Sequence, residues 1–188
     1  PQKGTGEAAR IGTILAANVL RTFEEPRTNS GTALRVSREM VELPVPPVSE
    51  DEVEKARAIA EQVAAGARPA PRFMDQVNAF KVLDVAERKG RALEVEVQVI
   101  ALGNDLAWVS LPGEIFVELG LSIKAGSPFK QTMIATLANG AVGYIPTVRA
   151  FSEGNYEVVS SRCAPGSGEM LVASAIRQLR ALHSAAKD

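Results

Sequence analysis

Leu93-Glu94-Val95-Glu96-Val97-Gln98-Val99 alternates apolar side chains with carboxylates and an amide. Successive side chains of an extended chain point to opposite faces, so this period of two predicts a strand with one face buried. Gly103-Asn104-Asp105 follows as a turn signal, because these residues tolerate the backbone angles of a tight reversal. Leu106 to Leu111 resumes the extended pattern, so 92–111 reads as a β-hairpin. The apolar run 131–137, from Gln131 to Leu137, predicts a strand at the centre of the sheet. Looser alternation at Leu34, Val36, Met40 and Leu43 predicts a further strand over 34–43.

Helical signals surround these strands. Over 7–23, Ile11, Leu15 and Val19 recur every four residues, and Ile14 and Leu20 widen the stripe. Glu24-Glu25-Pro26 should end that helix, because proline cannot continue the hydrogen-bond ladder, and 27–33 reads as a polar turn. Pro44, Pro46 and Pro47 stiffen a connector to Ser49, which with Glu52 spells a capping box for a helix reaching Ala65 and stopping at Gly66. A proline-bearing loop to Arg72 leads to a helix over 73–89, closed by Lys89-Gly90. The stretch 44–90 is thus a helical excursion from a sheet-based core, in the manner of a flap. A helix over Ile115–Lys124, a turn at Asn139-Gly140 and a final helix over about 168–185 complete the pattern. The buried stripe of that last helix should be Leu171, Val172, Ala175, Leu179 and Leu182. The expected fold class is α/β, a mixed α+β layered domain in which a sheet carries flanking helices, with 1–188 forming one domain or part of one.

Composition narrows the function classes. With 46% hydrophobic and 23% charged residues the chain is an ordinary globular one, long enough for a sizeable core. Its 21 basic and 22 acidic residues show no basic stripe with interleaved aromatics, which argues against a nucleic-acid surface. No apolar run approaches the ~20 residues of a membrane-spanning helix. The single cysteine, Cys163, has no internal disulfide partner. The chain opens on Pro1 without a methionine and is expected to be cut from a longer polypeptide.

Few residues could carry chemistry. Glu114 follows a strand and the Pro112-Gly113 turn. It is either an acid favouring a helix N-terminus or a metal ligand or general base at a strand end. Tyr144 comes just after Gly143, and Tyr156 twelve residues later; each is either a packed tyrosine or one lining a ligand. The small-residue loop 160–169 offers backbone amides before a helix, and reads equally as a plain capped start. Cys163 reads as a packing residue, since no histidine lies near it in sequence, and His183 as a solvated residue late in the last helix. Cys/His clusters, His-Glu-x-x-His, Walker loops and Gly-x-Gly-x-x-Gly are all missing from the sequence.

Three motifs in order carry a resemblance. They are Val109-Ser110-Leu111-Pro112-Gly113-Glu114, then Leu137-Ala138-Asn139-Gly140-Ala141-Val142-Gly143-Tyr144-Ile145-Pro146-Thr147, then Gly154-Asn155-Tyr156-Glu157. With Ser160-Ser161, the Pro165-Gly166 loop, the last helix and the start of the first, they resemble the C-terminal part of the catalytic domain of neutral/alkaline non-lysosomal ceramidases, particularly the short bacterial relatives. The resemblance implies a zinc-dependent hydrolase of N-acyl amide bonds. It implies that Glu114 and Tyr144 are metal ligands, and that Tyr144 and Tyr156 are catalytic, with Tyr156 contacting the scissile amide or its oxyanion. It also implies that the two zinc histidines lie upstream of this chain. The substrate would be a ceramide-like lipid or another N-acyl amide, and the setting secreted or periplasmic. A part of this kind should expose strand edges and apolar surface, so self-association, or pairing with an upstream segment, is expected. The rival expectation is a non-catalytic, degenerate domain that binds a lipid-like ligand or a partner chain in the same cleft.

Overall fold

The computed structural model describes residues 4–23 and 33–185. They fall in two compact units, within Pro1–Ser30 and Gly31–Asp188. The first holds one helix, α1 (Thr5–Phe23), which carries the expected stripe on a helix with no buried residue. The stop expected at 24–26 and most of the turn at 27–33 lie outside the described residues.

In the second unit the order is β1 (Leu34–Leu43), α2 (Glu50–Ala64), α3 (Phe73–Glu87), β2 (Leu93–Leu102), β3 (Leu106–Ser110), β4 (Glu114–Ile115), α4 (Val117–Gly126), β5 (Gln131–Ala135), β6 (Tyr144–Ile145), α5 (Val148–Glu153), α6 (Tyr156–Ser160) and α7 (Ser167–Ser184). The α/β class read from the sequence holds. A four-stranded sheet runs β1-β2-β3-β5, antiparallel except for the parallel β3–β5 pair. A two-stranded parallel ribbon, β4–β6, stands beside it in the chain path.

The alternation of 93–99 becomes the core. Val95, Val97 and Val99 point to one face, in line with Val41 and Leu43 of β1 and with Ala107 and Val109 of β3. Leu119 and Ile123 of α4 and Leu171, Ala175 and Leu179 of α7 cover that face. Burying one such valine or leucine stabilises the fold by about 1.5–3 kcal/mol. Polar contacts fix where α7 sits: Gln178 Nε2 donates to the Val97 carbonyl at 3.0 Å, and Ser174 and Arg177 both donate to the Glu39 carboxylate. On the opposite face Val36, Ile100, Trp108 and Met133 form one row across all four strands. The ends of that row are open, Val36 being 54% and Met133 42% exposed.

Several expectations need correction. The apolar run at 131–137 is an edge strand, not a central one, and it ends at Ala135. Continuous apolar character cannot separate the two cases, since an edge strand can be covered on one face alone. The helix expected from Ile115 begins at Val117, because Glu114 and Ile115 are drawn into β4 by pairing with β6. Two short helices, α5 and α6, occupy a stretch that carried no helical period. His183 is half-buried, its ring edge-on to Phe129 at 5.1 Å, where a solvated residue was expected. Cys163, by contrast, is the packing residue expected, buried at 2% exposed with its Sγ 3.3 Å from Ser161 Oγ.

The stretch 44–90 is a helical hairpin with its own small core of Ala56, Ala79 and Val82. Its entry is a complete capping box: Ser49 Oγ accepts from the Glu52 amide, and the Glu52 carboxylate accepts from the Ser49 amide. Such a cap stabilises a helix by about 1 kcal/mol.

Candidate active site

The site is built where two loops are zipped together. After β3, the chain runs Leu111-Pro112-Gly113 into β4; after β5, it runs 136–143 into β6. The Leu137 amide donates to the Gly113 carbonyl at 3.1 Å, the Ala138 amide to Leu111 at 3.0 Å, and the Val142 amide to Pro112 at 2.9 Å. The Glu114 amide then donates to the Gly143 carbonyl at 2.9 Å, and the Phe116 amide to Ile145 at 3.2 Å. So close an approach needs Gly113 to lack a side chain: a Cβ there would stand 2.7 Å from the Gly143 oxygen. Gly143 itself has φ +88°, open to glycine at little cost. Leu137 and Asn139, with φ 54° and 61°, hold the less favourable left-handed conformation, and such strain gathers at functional loops.

This zipper sets Glu114 directly opposite Tyr144 in the β4–β6 register. Neighbouring strands pair residues on the same face, so the carboxylate and the phenol stand side by side. Their electrostatics agree. The Glu114 carboxylate raises the Tyr144 phenol above the usual tyrosine range, first by accepting its hydrogen bond, with partial burial and the charge of Glu114 adding to it. Glu114 is exposed and Tyr144 half-buried.

Tyr156, the first residue of α6, completes the group. Its ring meets Tyr144 edge-to-face, 5.9 Å between centroids at 78°. The turn that aims it is Gly154-Asn155, both at positive φ. All three residues singled out in the sequence therefore come together on one surface, from three separate segments.

The sequence reading missed three neighbours. Phe73, the first residue of α3, stacks on Tyr156 with centroids 5.8 Å apart and planes within 17°. Arg162 reaches back between the helical hairpin and the site. Its Nε pairs with Asp84 of α3, and its Nη1 is the atom nearest to where a Gly143 side chain would sit, at 3.4 Å. Phe73 and Asp84 lie in the stretch of the chain that the motifs leave least specified. The signal available for Phe73 was an aromatic residue at the first position of a helix, directly after Pro71-Arg72.

Cavities near the chemistry are shallow. A groove of about 230 Å³ opens beside β4, lined by Ile115, Phe116, Leu121 and Ile134. A larger one, of about 680 Å³, lies between the 45–50 connector and the end of α3 and includes none of Glu114, Tyr144 or Tyr156. Its lining holds no aromatic side chain. Among the described residues no helix is long and apolar enough to cross a membrane.

The fold of this chain is ceramidase-like. The chain is similar in structure to the neutral ceramidase from Pseudomonas aeruginosa, with a TM-score of 0.54 and 17% identity over 81% of this chain and 29% of that one. A ceramidase complexed with C2 is also similar, with a TM-score of 0.45 and 19% identity over 49% of this chain and 15% of that one. The ceramidase-like fold rests on the former. This chain thus spans less than a third of the length of that solved enzyme. No protein-family model matches the chain, and no curated protein matches it.

Proposed function

We propose that the chain is the C-terminal part of the catalytic domain of a zinc-dependent, ceramidase-like hydrolase that cleaves N-acyl amide bonds in ceramide-like lipids. One observation carries the reading: Glu114 faces Tyr144 in register, with Tyr156 edge-on to that tyrosine, within a ceramidase-like fold.

The donor chemistry fits half of a zinc site. A carboxylate and a phenol supply two oxygen donors side by side. A catalytic zinc takes three protein ligands or more. Among the described residues no group of three His, Cys, Asp or Glu side chains could hold a metal. In this reading the remaining donors are histidines from outside the chain, in the same polypeptide or an associated one. Zinc, when bound, polarises the amide carbonyl and activates water.

The chain's own residues do three things. Glu114 accepts the hydrogen bond of the Tyr144 phenol, which holds that hydroxyl's pKa above the usual tyrosine range and keeps it protonated at neutral pH. The zipped loops hold the two donors rigidly before any ligand arrives, which lowers the cost of ordering them. Tyr156, 39% exposed, offers a hydroxyl to the amide oxygen as that oxygen gains negative charge.

Hydrolysis of an N-acyl sphingosine by the natural polypeptide tests the roles. Tyr156→Phe should lower kcat by about 10²–10³, the usual cost of losing one oxyanion donor, with little change in KM. Full kcat in that variant would remove Tyr156 from the mechanism. The rival reading is a non-catalytic domain that binds a lipid-like ligand or a partner chain. It predicts ligand binding with no hydrolysis under any metal supplement.

A further inference from the structure

We infer that Phe73, carried in by the helical hairpin, is a specificity-determining residue. With Tyr156 it forms an aromatic shelf that takes the apolar chain next to the scissile amide. The inference rests on the reading above and adds the residue that would select for chain length.

Phe73 is 65% exposed, yet its ring lies parallel to Tyr156 rather than loose in solvent. Tyr156 in turn is edge-on to Tyr144, beside Glu114. The three rings thus make a continuous apolar strip that starts at the candidate reacting centre and runs outward. Tyrosine rings offer an apolar body with a polar tip, which suits a ligand that is part polar and part apolar.

The ring's placement is fixed from both ends of its helix. Before Phe73, Gln76 Nε2 donates to the Pro71 carbonyl at 2.7 Å and pins the entering loop. Near the other end, Asp84 pairs with Arg162, which borders Gly143. At the helix start, the N-cap Arg72 gives no side-chain cap bond. Phe73 also lies outside the hairpin's small core, which is Ala56, Ala79 and Val82. The ring therefore serves neither the cap nor the hairpin core, and Tyr156 is its aromatic partner.

Tyr144 and Tyr156 both lie in the site, so they make direct probes. The natural polypeptide is labelled with 3-fluorotyrosine, and Tyr144→Phe and Tyr156→Phe assign the fluorine resonances of these two residues. N-acetyl and N-dodecanoyl ethanolamide are then titrated separately below the micellar range. The expected result is a shift of the Tyr156 resonance, with the dodecanoyl compound binding tighter. In Phe73→Ala that chain-length preference should fall roughly tenfold, as for two methylenes losing their cover. Phe73→Leu, which keeps apolar bulk, should retain part of it, and a thermal melt of each variant checks the fold. An undiminished preference in Phe73→Ala refutes the shelf and leaves the amide-site reading standing. Failure of both amides to shift either resonance in the wild type refutes the amide-site reading, and the shelf with it.

Discussion

Replacing Gly113 by alanine tests whether close backbone contact is what assembles the site. The added Cβ would stand 2.7 Å from the Gly143 carbonyl oxygen, and 3.1 and 3.3 Å from two side-chain carbons of Ile145. Carbon and oxygen do not approach so closely, and the first contact is backbone, which cannot swing aside. The β4–β6 ribbon must part by several tenths of an ångström. Overpacking of this kind costs about 1–3 kcal/mol. For a chain of this size that lowers Tm by roughly 2–4 °C per kcal/mol, hence by about 2–12 °C. The opening should be local as well: the Glu114 amide, bonded to Gly143 at 2.9 Å, should exchange with deuterium faster than in the wild type. Tyr144 should also titrate closer to an ordinary tyrosine, as Glu114 moves away from it. Gly120→Ala is the control. It lies within α4 with only Ile134 near, at 3.7 Å, so alanine there should stabilise the helix by about 0.5–1 kcal/mol. Equal melting of Gly113→Ala and wild type, with unchanged exchange at Glu114, would refute the account of how the two loops hold each other.

Three further outcomes follow from the same geometry. The raised Tyr144 pKa means that, above pH 10, the unfolded chain releases this proton before the folded one does, so stability falls as pH climbs toward the folded value. Glu114→Gln should flatten that alkaline loss, as read by urea melts at several pH values, and an unchanged slope would detach Tyr144 from Glu114. Removing Arg162 or Asp84 breaks a half-exposed ion pair; a double-mutant cycle should show coupling of about 0.2–1 kcal/mol, and no coupling would mean that the hairpin is not tied to the site there. The row Val36, Ile100, Trp108 and Met133 leaves apolar ends open on the sheet, and the 188-residue chain alone should self-associate through it. Light scattering should report a smaller mass for Val36→Lys with Met133→Lys, and a monomeric wild type would argue against the surface.

How far the sequence could be read depends on the length scale of each feature. The alternation at 93–99 and the stripe of α7 repeat over several residues, the Ser49–Glu52 box is a local four-residue motif, and each formed as expected. Val172 and Leu182 of that stripe are only partly buried, at the margin of the core. Features without a period could not be seen. A two-residue strand such as β4 has none, so Glu114 looked like a helix-start acid until its pairing with Tyr144 was visible. The edge position of β5 is a property of the whole sheet rather than of the run 131–137. The motif order named Glu114, Tyr144 and Tyr156, yet nothing in it linked them to Phe73 or Arg162. Those contacts depend on where a helical hairpin lands, and charge and helical period along 49–90 do not encode the landing.

The most direct test of the central claim is metal analysis of the natural polypeptide that carries these residues, with Glu114 intact and with Glu114→Ala. The account predicts near-stoichiometric zinc in the first, and in the second a loss of zinc together with N-acyl sphingosine hydrolysis. Zinc and hydrolysis undiminished by Glu114→Ala would contradict it.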